Sequence, residues 1–465
     1  VRGGDHRIEA VKLRVTDEVL RAGAFSLPVT LRYRTRASED YVHLDATLPV
    51  RLARGEEFEP IPNRFKIGAT GVPVEDPDMF VGRDLLIERI RSRLRDAPSP
   101  GVGVAIFGQK RAGKSSIRLH LMQRLEKEDR LPVVDVGNIG DFPMESGDQS
   151  GTRMLALLMW RILENAGESL ERLGWADPTF PLIPKEVTRE TFLESPDPVY
   201  DCAKVIEEHR RRAGKPMPPL IVMIDEFQYI DRWIRMGLLP TSFMQVFKAL
   251  IERRLFHLVI VGQAALDRLI KEDRNVFGVF VTERVTYLAE PDARLLIERP
   301  IQMVEGDRTI SRYKERAVDQ ILELTGGSPF YIQRFCYQLV EYMNSERAPV
   351  VTEADVERVR DDFLESLEAK DFDNLESPGY TDPNAHPNER YQKVLLAVAR
   401  ASRNQSATLT AIREQYQEPD LQELLDDLVL RDVVRRESGV YRIVVRLYED
   451  WLLKYFGVTP QEQQA

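Results

Sequence analysis

Apolar side chains along this chain fall into three regimes. Between residues 6 and 58 they alternate with polar ones, as in Leu27, Val29, Leu31 and Tyr33 and again in Val42, Leu44, Ala46, Leu48 and Val50. Such alternation lines one face of an extended run. It predicts strands over 8–15, 25–34 and 41–52, part of a β-sandwich that either packs on its neighbour or serves as a spacer. From residue 102 the apolar positions become short continuous bursts, at 102–107, 131–136, 220–224 and 258–261. Bursts of this length are expected of strands buried on both faces of a parallel sheet. The third regime is helical spacing. Leu155, Leu158, Met159, Ile162 and Leu163 define one face of a helix over 152–173. Helices at 292–298, 314–325, 330–343 and 351–367 follow, the last opened by the capping-box pair Thr352 and Asp355. Near the C-terminus, helical runs at 389–401, 408–416 and 421–434 precede a turn at Gly439 between short strands, then a final apolar segment at 451–456. Three helices and a hairpin form a winged-helix pattern.

Proline and glycine divide these regimes. Pro60, Pro62, Gly68, Gly71, Pro73 and Pro77 give residues 59–78 the chemistry of a linker, and 371–388 reads as a second one. The expected organisation is a β-rich segment at 1–58, a linker at 59–78, an α/β core at 79–300, a helical lid at 301–370, a linker at 371–388, a winged helix at 389–457 and a tail at 458–465. A chain of 465 residues has room for such a division. Its 65 basic and 75 acidic residues leave a formal net charge of -10, which argues against sequence-independent nucleic-acid binding by the whole chain and leaves room for a local basic patch. With only Cys202 and Cys336, a reducing compartment is expected. No apolar run approaches the about 20 residues that cross a bilayer. A cytoplasmic protein is expected, with no membrane partner. The start at Val1 without methionine suggests a longer parent.

Chemistry concentrates after the first apolar burst. The segment Gly108-Gln109-Lys110-Arg111-Ala112-Gly113-Lys114-Ser115-Ser116 stands between that strand and a helix carrying Ile117, Leu119, Leu121 and Met122. A bound phosphate needs a tight turn of inward N–H groups, a lysine for the outer phosphates, a hydroxyl for Mg²⁺ and a helix N-terminus behind them. This segment supplies all four. The burst at 220–224 ends in Asp225-Glu226, where such sheets bind ligands, so Asp225 is expected to hold Mg²⁺ through water with Ser115, and Glu226 to orient the attacking water. Gln263, at the tip of the strand over 258–262, is a sensor candidate for the γ-phosphate. Arg284 is a candidate arginine finger toward a neighbouring subunit. Arg431, Arg435, Arg436, Arg442 and Arg446 stand where a winged helix meets DNA phosphates, but the interleaved Glu423, Asp426, Asp427 and Asp432 would repel those phosphates and favour packing within the chain or against another protein.

In order along the chain, Phe80-Val81-Gly82-Arg83, the Gly108–Ser115 loop, Ile224-Asp225-Glu226-Phe227-Gln228, the strand ending at Gln263, and Gly327-Ser328-Pro329 before a winged helix resemble the STAND class of P-loop ATPases, AAA+-related proteins with archaeal-ATPase-like prokaryotic members. The resemblance spans about residues 76–456. It implies a switch dependent on ATP and Mg²⁺, closed with ADP and oligomerising with ATP, in many members serving prokaryotic defence or signalling. It also implies that Val81, Gly82 and Arg83 line the adenine and ribose, that Lys114 and Ser115 meet phosphates and Mg²⁺, and that Pro329 sits by the base where related ATPases place a sensor arginine. The β-rich start and the lack of repeats after the winged helix depart from that outline and point to an upstream sensor or effector partner. A second reading is a DNA-associated ATPase resembling origin-recognition initiators or transposition regulators, and a third is a protein that holds nucleotide as a structural cofactor.

Overall fold

The computed structural model describes residues 24–34, 41–51, 58–96, 101–142, 152–176, 180–212, 217–272, 277–278, 280–377, 389–403 and 407–457, with the isolated positions 16 and 19. The strand expected at 8–15 and the tail at 458–465 lie outside the described residues, as does 378–388 of the second linker.

β1 (Ala24–Arg34) and β2 (Tyr41–Arg51) form an antiparallel ladder whose register sets Leu27 opposite Leu48, Val29 opposite Ala46 and Leu31 opposite Leu44. The alternation therefore makes one apolar face, as period-two patterning requires. Leu44 and Leu48 on it remain half exposed.

The continuous apolar bursts become a parallel sheet. β3 (Gly103–Gly108), β4 (Val133–Asn138), β5 (Leu220–Asp225), β6 (Phe256–Gly262) and β7 (Phe280–Val285) lie in the order β4-β5-β6-β3-β7. Period-two geometry explains why the bursts are apolar at every position. Val104, Ile106, Ile221, Met223, Val259 and Val261 enter the buried cluster on one face, while Ala105, Phe107, Val222, Ile224, Leu258 and Ile260 enter the cluster on the other. The Lys114–Lys127 helix leaves β3, and the Thr152–Arg172 helix packs on β4 through the stripe the spacing predicts.

The lid holds the helices Glu290–Glu298, Ala317–Thr325, Pro329–Glu346 and Glu353–Ser366, with a small hairpin of β8 (Met303–Glu305) and β9 (Arg308–Ile310) in the interval 299–313. The Thr352–Asp355 capping box is formed. C-terminal to it come the helices Glu389–Arg403, Leu409–Gln415 and Leu421–Leu430, then the antiparallel pair β10 (Val434–Glu437) and β11 (Val440–Ile443), and the helix Arg446–Phe456.

The two stretches read as linkers are not loose where they are described. In 59–78, Ile61 and Phe65 are buried and the short helix Lys66–Ala69 packs against Pro329–Glu346. In 371–377, Phe372, Asn374, Leu375 and Glu376 are buried. Proline and glycine set the local backbone there without preventing burial of the apolar residues between them. One apolar cluster consequently runs without a break from Ile61 through one face of the sheet to Leu452.

Candidate functional site

The carboxyl ends of β3, β5 and β6 converge because parallel strands all point the same way. β6 lies between β3 and β5, so the tip carrying Gln263 stands between the phosphate loop and Asp225-Glu226. The loop between β3 and the Lys114–Lys127 helix turns at Gly113, whose φ of 94° is open to glycine at no steric cost. A side chain there would meet only the Pro329 ring, at 3.9 Å, so the space over the helix N-terminus is free for an anion. Lys114 is buried, and its Nζ donates to the loop's own carbonyls, Gly108 at 3.1 Å and Gln109 at 2.9 Å. Burial holds this ammonium below its ordinary pKa, with Glu226 and then Asp225 drawing it back up. A buried lysine anchored only by carbonyls is suited to a phosphate ligand that supplies the full opposing charge.

Ser115 Oγ donates to Asp225 Oδ2 at 3.4 Å. Burial raises the Asp225 carboxyl above its usual value, against the pull of the Arg118 guanidinium, whose Nε lies 3.5 Å from Oδ2. Arg118 also pairs with Asp135. Glu226 holds a φ of 54°, and its Oε2 accepts from Gln263 Nε2 at 3.0 Å and from Gln228 Nε2, while Gln228 Oε1 accepts from the Gln263 backbone N–H at 3.2 Å. Two amides thus fix the carboxylate from behind and leave it at the wall of a cavity of about 350 Å³.

That cavity joins the phosphate loop to the lid. Lys110, Arg111, Ala112, Gly113, Lys114, Ser115 and Ser116 form one end. Val81, Arg83 and Pro329 line it, with Phe80, Phe330 and Gln333. Gly82 is not among the lining residues; it turns the chain at φ 71°, where a Cβ would lie 2.5 Å from Asp292. Arg83 Nη2 donates to the Thr286 carbonyl at 2.6 Å and the Ala112 carbonyl at 3.3 Å, tying the segment to the loop. Ser116 Oγ accepts from the Val74 N–H at 3.0 Å, and the His120 ring stacks on Phe80 with centroids 3.9 Å apart. Residues 68–74 therefore form a wall of the cavity, which a linker assignment did not anticipate; the cue available in the sequence was only that Gly68 and Gly71 permit close approach.

Arg284 lies apart from this cluster. Its Nη2 donates to Asp432 Oδ1 at 2.8 Å and to the Leu430 carbonyl at 2.9 Å, so in this arrangement it ties the sheet edge to the C-terminal helices of its own chain. Gln109 and Arg111 also reach across: Gln109 Nε2 donates to the Asn374 carbonyl at 2.6 Å, and Arg111 Nη1 to the Asp371 carbonyl at 3.2 Å while its guanidinium covers the Phe330 ring at 4.0 Å. Sequence reasoning found the loop, Asp225 and Glu226 as neighbours. It gave no role to Gln228, two residues from the carboxylate it holds, and did not find Arg118 or the 371–377 segment, whose partners are distant along the chain.

A parallel sheet with the Gly108–Ser115 loop at one strand end, and paired carboxylates at the end of a strand two places away, is a P-loop NTPase fold with a helical lid. The Walker-type ATPase PABY2304 of Pyrococcus abyssi has a similar structure, with a TM-score of 0.54 at 15% identity over 82% of this chain and 98% of that chain. At this identity the likeness shows the fold. The Aeropyrum pernix ORC2 protein, in ADPNP-ADP complexes, gives a TM-score of 0.47 at 11% identity over 86% of this chain and all of its own (100%). The Aeropyrum pernix ORC1 protein in complex with DNA gives 0.39 at 13% identity over 84% of this chain and 97% of that one. No family model and no curated protein matches the chain. Among the described residues no helix is long and apolar enough to cross a membrane.

Proposed function

We propose that this protein binds ATP with Mg²⁺ in the cavity between the phosphate loop and the lid, hydrolyses it slowly, and uses the nucleotide state to set the position of its lid and C-terminal helices. The observation that carries the reading is that Lys114, Ser115 and the doubly held Glu226 line one end of that cavity, with Asp225 behind them within hydrogen-bond reach of Ser115. The donor set fits the group: a hydroxyl and a carboxylate within hydrogen-bond reach, with room left for phosphate oxygens and water, suit Mg²⁺. Bound there, Mg²⁺ would neutralise charge developing on the transferred phosphoryl group. Lys114 exchanges its loop carbonyls for phosphate oxygens, and the loop N–H groups orient the chain of phosphates. Glu226 accepts a hydrogen bond from water and aims it, while Gln263 and Gln228 hold the carboxylate in place and report whether it is engaged. STAND-type switching through oligomerisation, in signalling or defence and with an upstream sensor or effector, is the finer form of this reading, and Arg284, released from Asp432, is its candidate finger.

A second reading, a DNA-associated ATPase, draws support from the hairpin. Arg435, Arg436 and Arg442 are exposed on β10 and β11, while two of the acidic residues expected to repel DNA are already engaged, Asp432 with Arg284 and Asp427 with Arg431. Arg431 itself is buried and donates to the Leu375 and Ser377 carbonyls, so it is not available to phosphates.

Phosphate release from ATP tests the shared core. Glu226→Gln should lower turnover by about 10²–10³-fold while ATP remains bound, and Lys114→Ala should abolish binding. Light scattering of Glu226→Gln should give a larger mass with ATP than with ADP. A wild type that holds ATP without measurable turnover would reduce the nucleotide to a structural cofactor, unchanged turnover in Glu226→Gln would remove Glu226 from the reaction, and equal masses would remove the oligomerising switch.

A further inference from the structure

Arg118 follows Ser115 by three residues on the Lys114–Lys127 helix, so both side chains reach the end of β5 from the same helix face. They meet at one atom. Asp225 Oδ2 accepts from the Ser115 hydroxyl at 3.4 Å and lies 3.5 Å from Arg118 Nε, while Oδ1 is engaged by the Glu226 backbone N–H at 2.9 Å. Oδ2 is therefore the oxygen left for a metal ion and its water, and Arg118 stands beside it. The contact is an ion pair without hydrogen-bond geometry: Nε is buried and makes no hydrogen bond.

The other end of the guanidinium is fastened. Its Nη1 donates to Asp135 Oδ1 on β4, the strand beside β5. The pairing of those two strands slips between Asp135 and Gly137, a bulge in which Gly137 adopts a φ of 78°. Within it Asp135 Oδ1 also accepts from the Gly137 N–H at 3.1 Å, and Asn165 Nδ2 donates to the Asp135 carbonyl at 2.6 Å, so residue 135 is anchored both by its own strand and by the Thr152–Arg172 helix. A bulge re-aims the side chains around it, and this one aims Asp135 at Arg118.

Two electrostatic demands conflict at such a place. A lone cation there would repel Mg²⁺, and a lone buried carboxylate would have no opposing charge before Mg²⁺ arrives. The Asp135–Arg118 pair meets both, because as a unit it is neutral and turns only an N–H edge to Asp225. We propose that Arg118 is a positioning residue for the Mg²⁺ carboxylate: held by Asp135, it keeps Asp225 Oδ2 turned toward Ser115 without adding net charge to the site. The proposal rests on the reading that this cavity takes a nucleotide with Mg²⁺, and it adds to that reading the pair that prepares the metal's place. Partners that orient a metal ligand from outside are worth roughly 10–100-fold in metal affinity.

Calorimetry of ATP binding to the whole chain, in EDTA and over a series of free Mg²⁺ concentrations, tests it. Arg118→Met keeps an aliphatic stem and removes the guanidinium. It should leave the affinity for ATP in EDTA within about twofold of the wild type, and raise the Mg²⁺ concentration giving half of the metal-dependent gain by roughly tenfold or more. Asp135→Asn frees the guanidinium to close on Asp225 as a competing charge and should move that midpoint the same way. An unchanged or lower midpoint in Arg118→Met overturns the proposal. So does an equal loss of ATP affinity with and without Mg²⁺, which would make Arg118 a support of the loop alone. If Arg118→Met does not fold, Asp135→Asn decides, and an unchanged midpoint in that variant counts against the assignment. A wild type that binds ATP but gains nothing from Mg²⁺ overturns the proposal and leaves nucleotide binding standing, whereas one that binds no ATP in either condition overturns both.

Discussion

Glu226 occupies the left-handed region of backbone space, a conformation that costs a non-glycine residue about 1–3 kcal/mol and persists only where its surroundings impose it. Here the Gln228 and Gln263 amides impose it from one side and the end of a buried strand from the other. The carboxylate pair was legible from Ile224-Asp225-Glu226 because it follows a phosphate loop in the chain and ends a strand buried on both faces, where such sheets bind ligands. Gln263 was legible as a polar residue at a strand tip, but its hydrogen bond to Glu226 and that of Gln228 were not, since both depend on how the turn and the neighbouring strand place the two amides. Glu376 is the opposite case, a carboxyl that sequence gave no reason to notice. It is fully buried, accepts from Tyr448 OH at 2.6 Å, and its Oε2 has no partner. Burial raises its pKa, only partly offset by the Tyr448 hydrogen bond. A carboxyl raised above its unfolded value of 4.5 contributes stability that is complete below that pH and is lost as pH climbs through the folded value. Glu376→Gln, neutral throughout, should melt roughly 2 °C higher than the wild type at pH 7. The difference should vanish below about pH 4.5, where both side chains are uncharged. Thermal melts across that range would show it, and a variant less stable than the parent at pH 7 would refute it.

At the scale of elements, Ala369–Phe372 and Asp373–Glu376 connect the phosphate loop to the C-terminal helices. Gln109 and Arg111 grip their carbonyls from the loop side; Tyr331 OH donates to the Asp371 carbonyl and to Asn374 Oδ1, each at 3.1 Å; and Arg431 and Tyr448 grip the far end. Phe372 is the hub of an aromatic cluster with Tyr331, Tyr448 and Trp451. Phosphates entering the loop compete for or reposition the same side chains, so the segment's backbone should respond to nucleotide. Hydrogen exchange followed by mass spectrometry should change over 369–377 as well as 108–116 when a non-hydrolysable ATP analogue binds, and Gln109→Ala should diminish the response at 369–377. A response confined to the loop would show that the contact carries no information. The short helices of this segment were not readable in advance: its polar and proline-rich surroundings suit a linker, and what buries it is surface contributed by residues far away in the chain.

For the molecule as a whole, the Arg284–Asp432 pair and the unbroken apolar cluster hold sheet, lid and C-terminal helices in one arrangement. Arg284 is exposed and Asp432 half-buried, so the guanidinium can leave the pair for another anion while the carboxyl it leaves, which burial already raises above its usual value, can take up a proton. If the hairpin serves DNA, binding should weaken steeply with salt, and the double change Arg435→Ala and Arg436→Ala should lower the slope of log affinity against log salt by about two. Salt-insensitive or absent binding in titrations with and without ATP would leave the hairpin to contacts with protein.

The sequence by itself determined the strands buried on both faces, the phosphate loop, the carboxylate pair and the order of lid and C-terminal helices. These follow from side-chain periodicity and from residues adjacent in the chain. Only the tertiary structure decided that residues 68–74 wall the cavity beside the phosphate loop, that Arg284 is held by Asp432, and that 371–377 joins the loop to the C-terminal helices. Each of these depends on which surfaces the shared core brings together, and proline and glycine in a chain signal a turn without specifying what the turn will pack against.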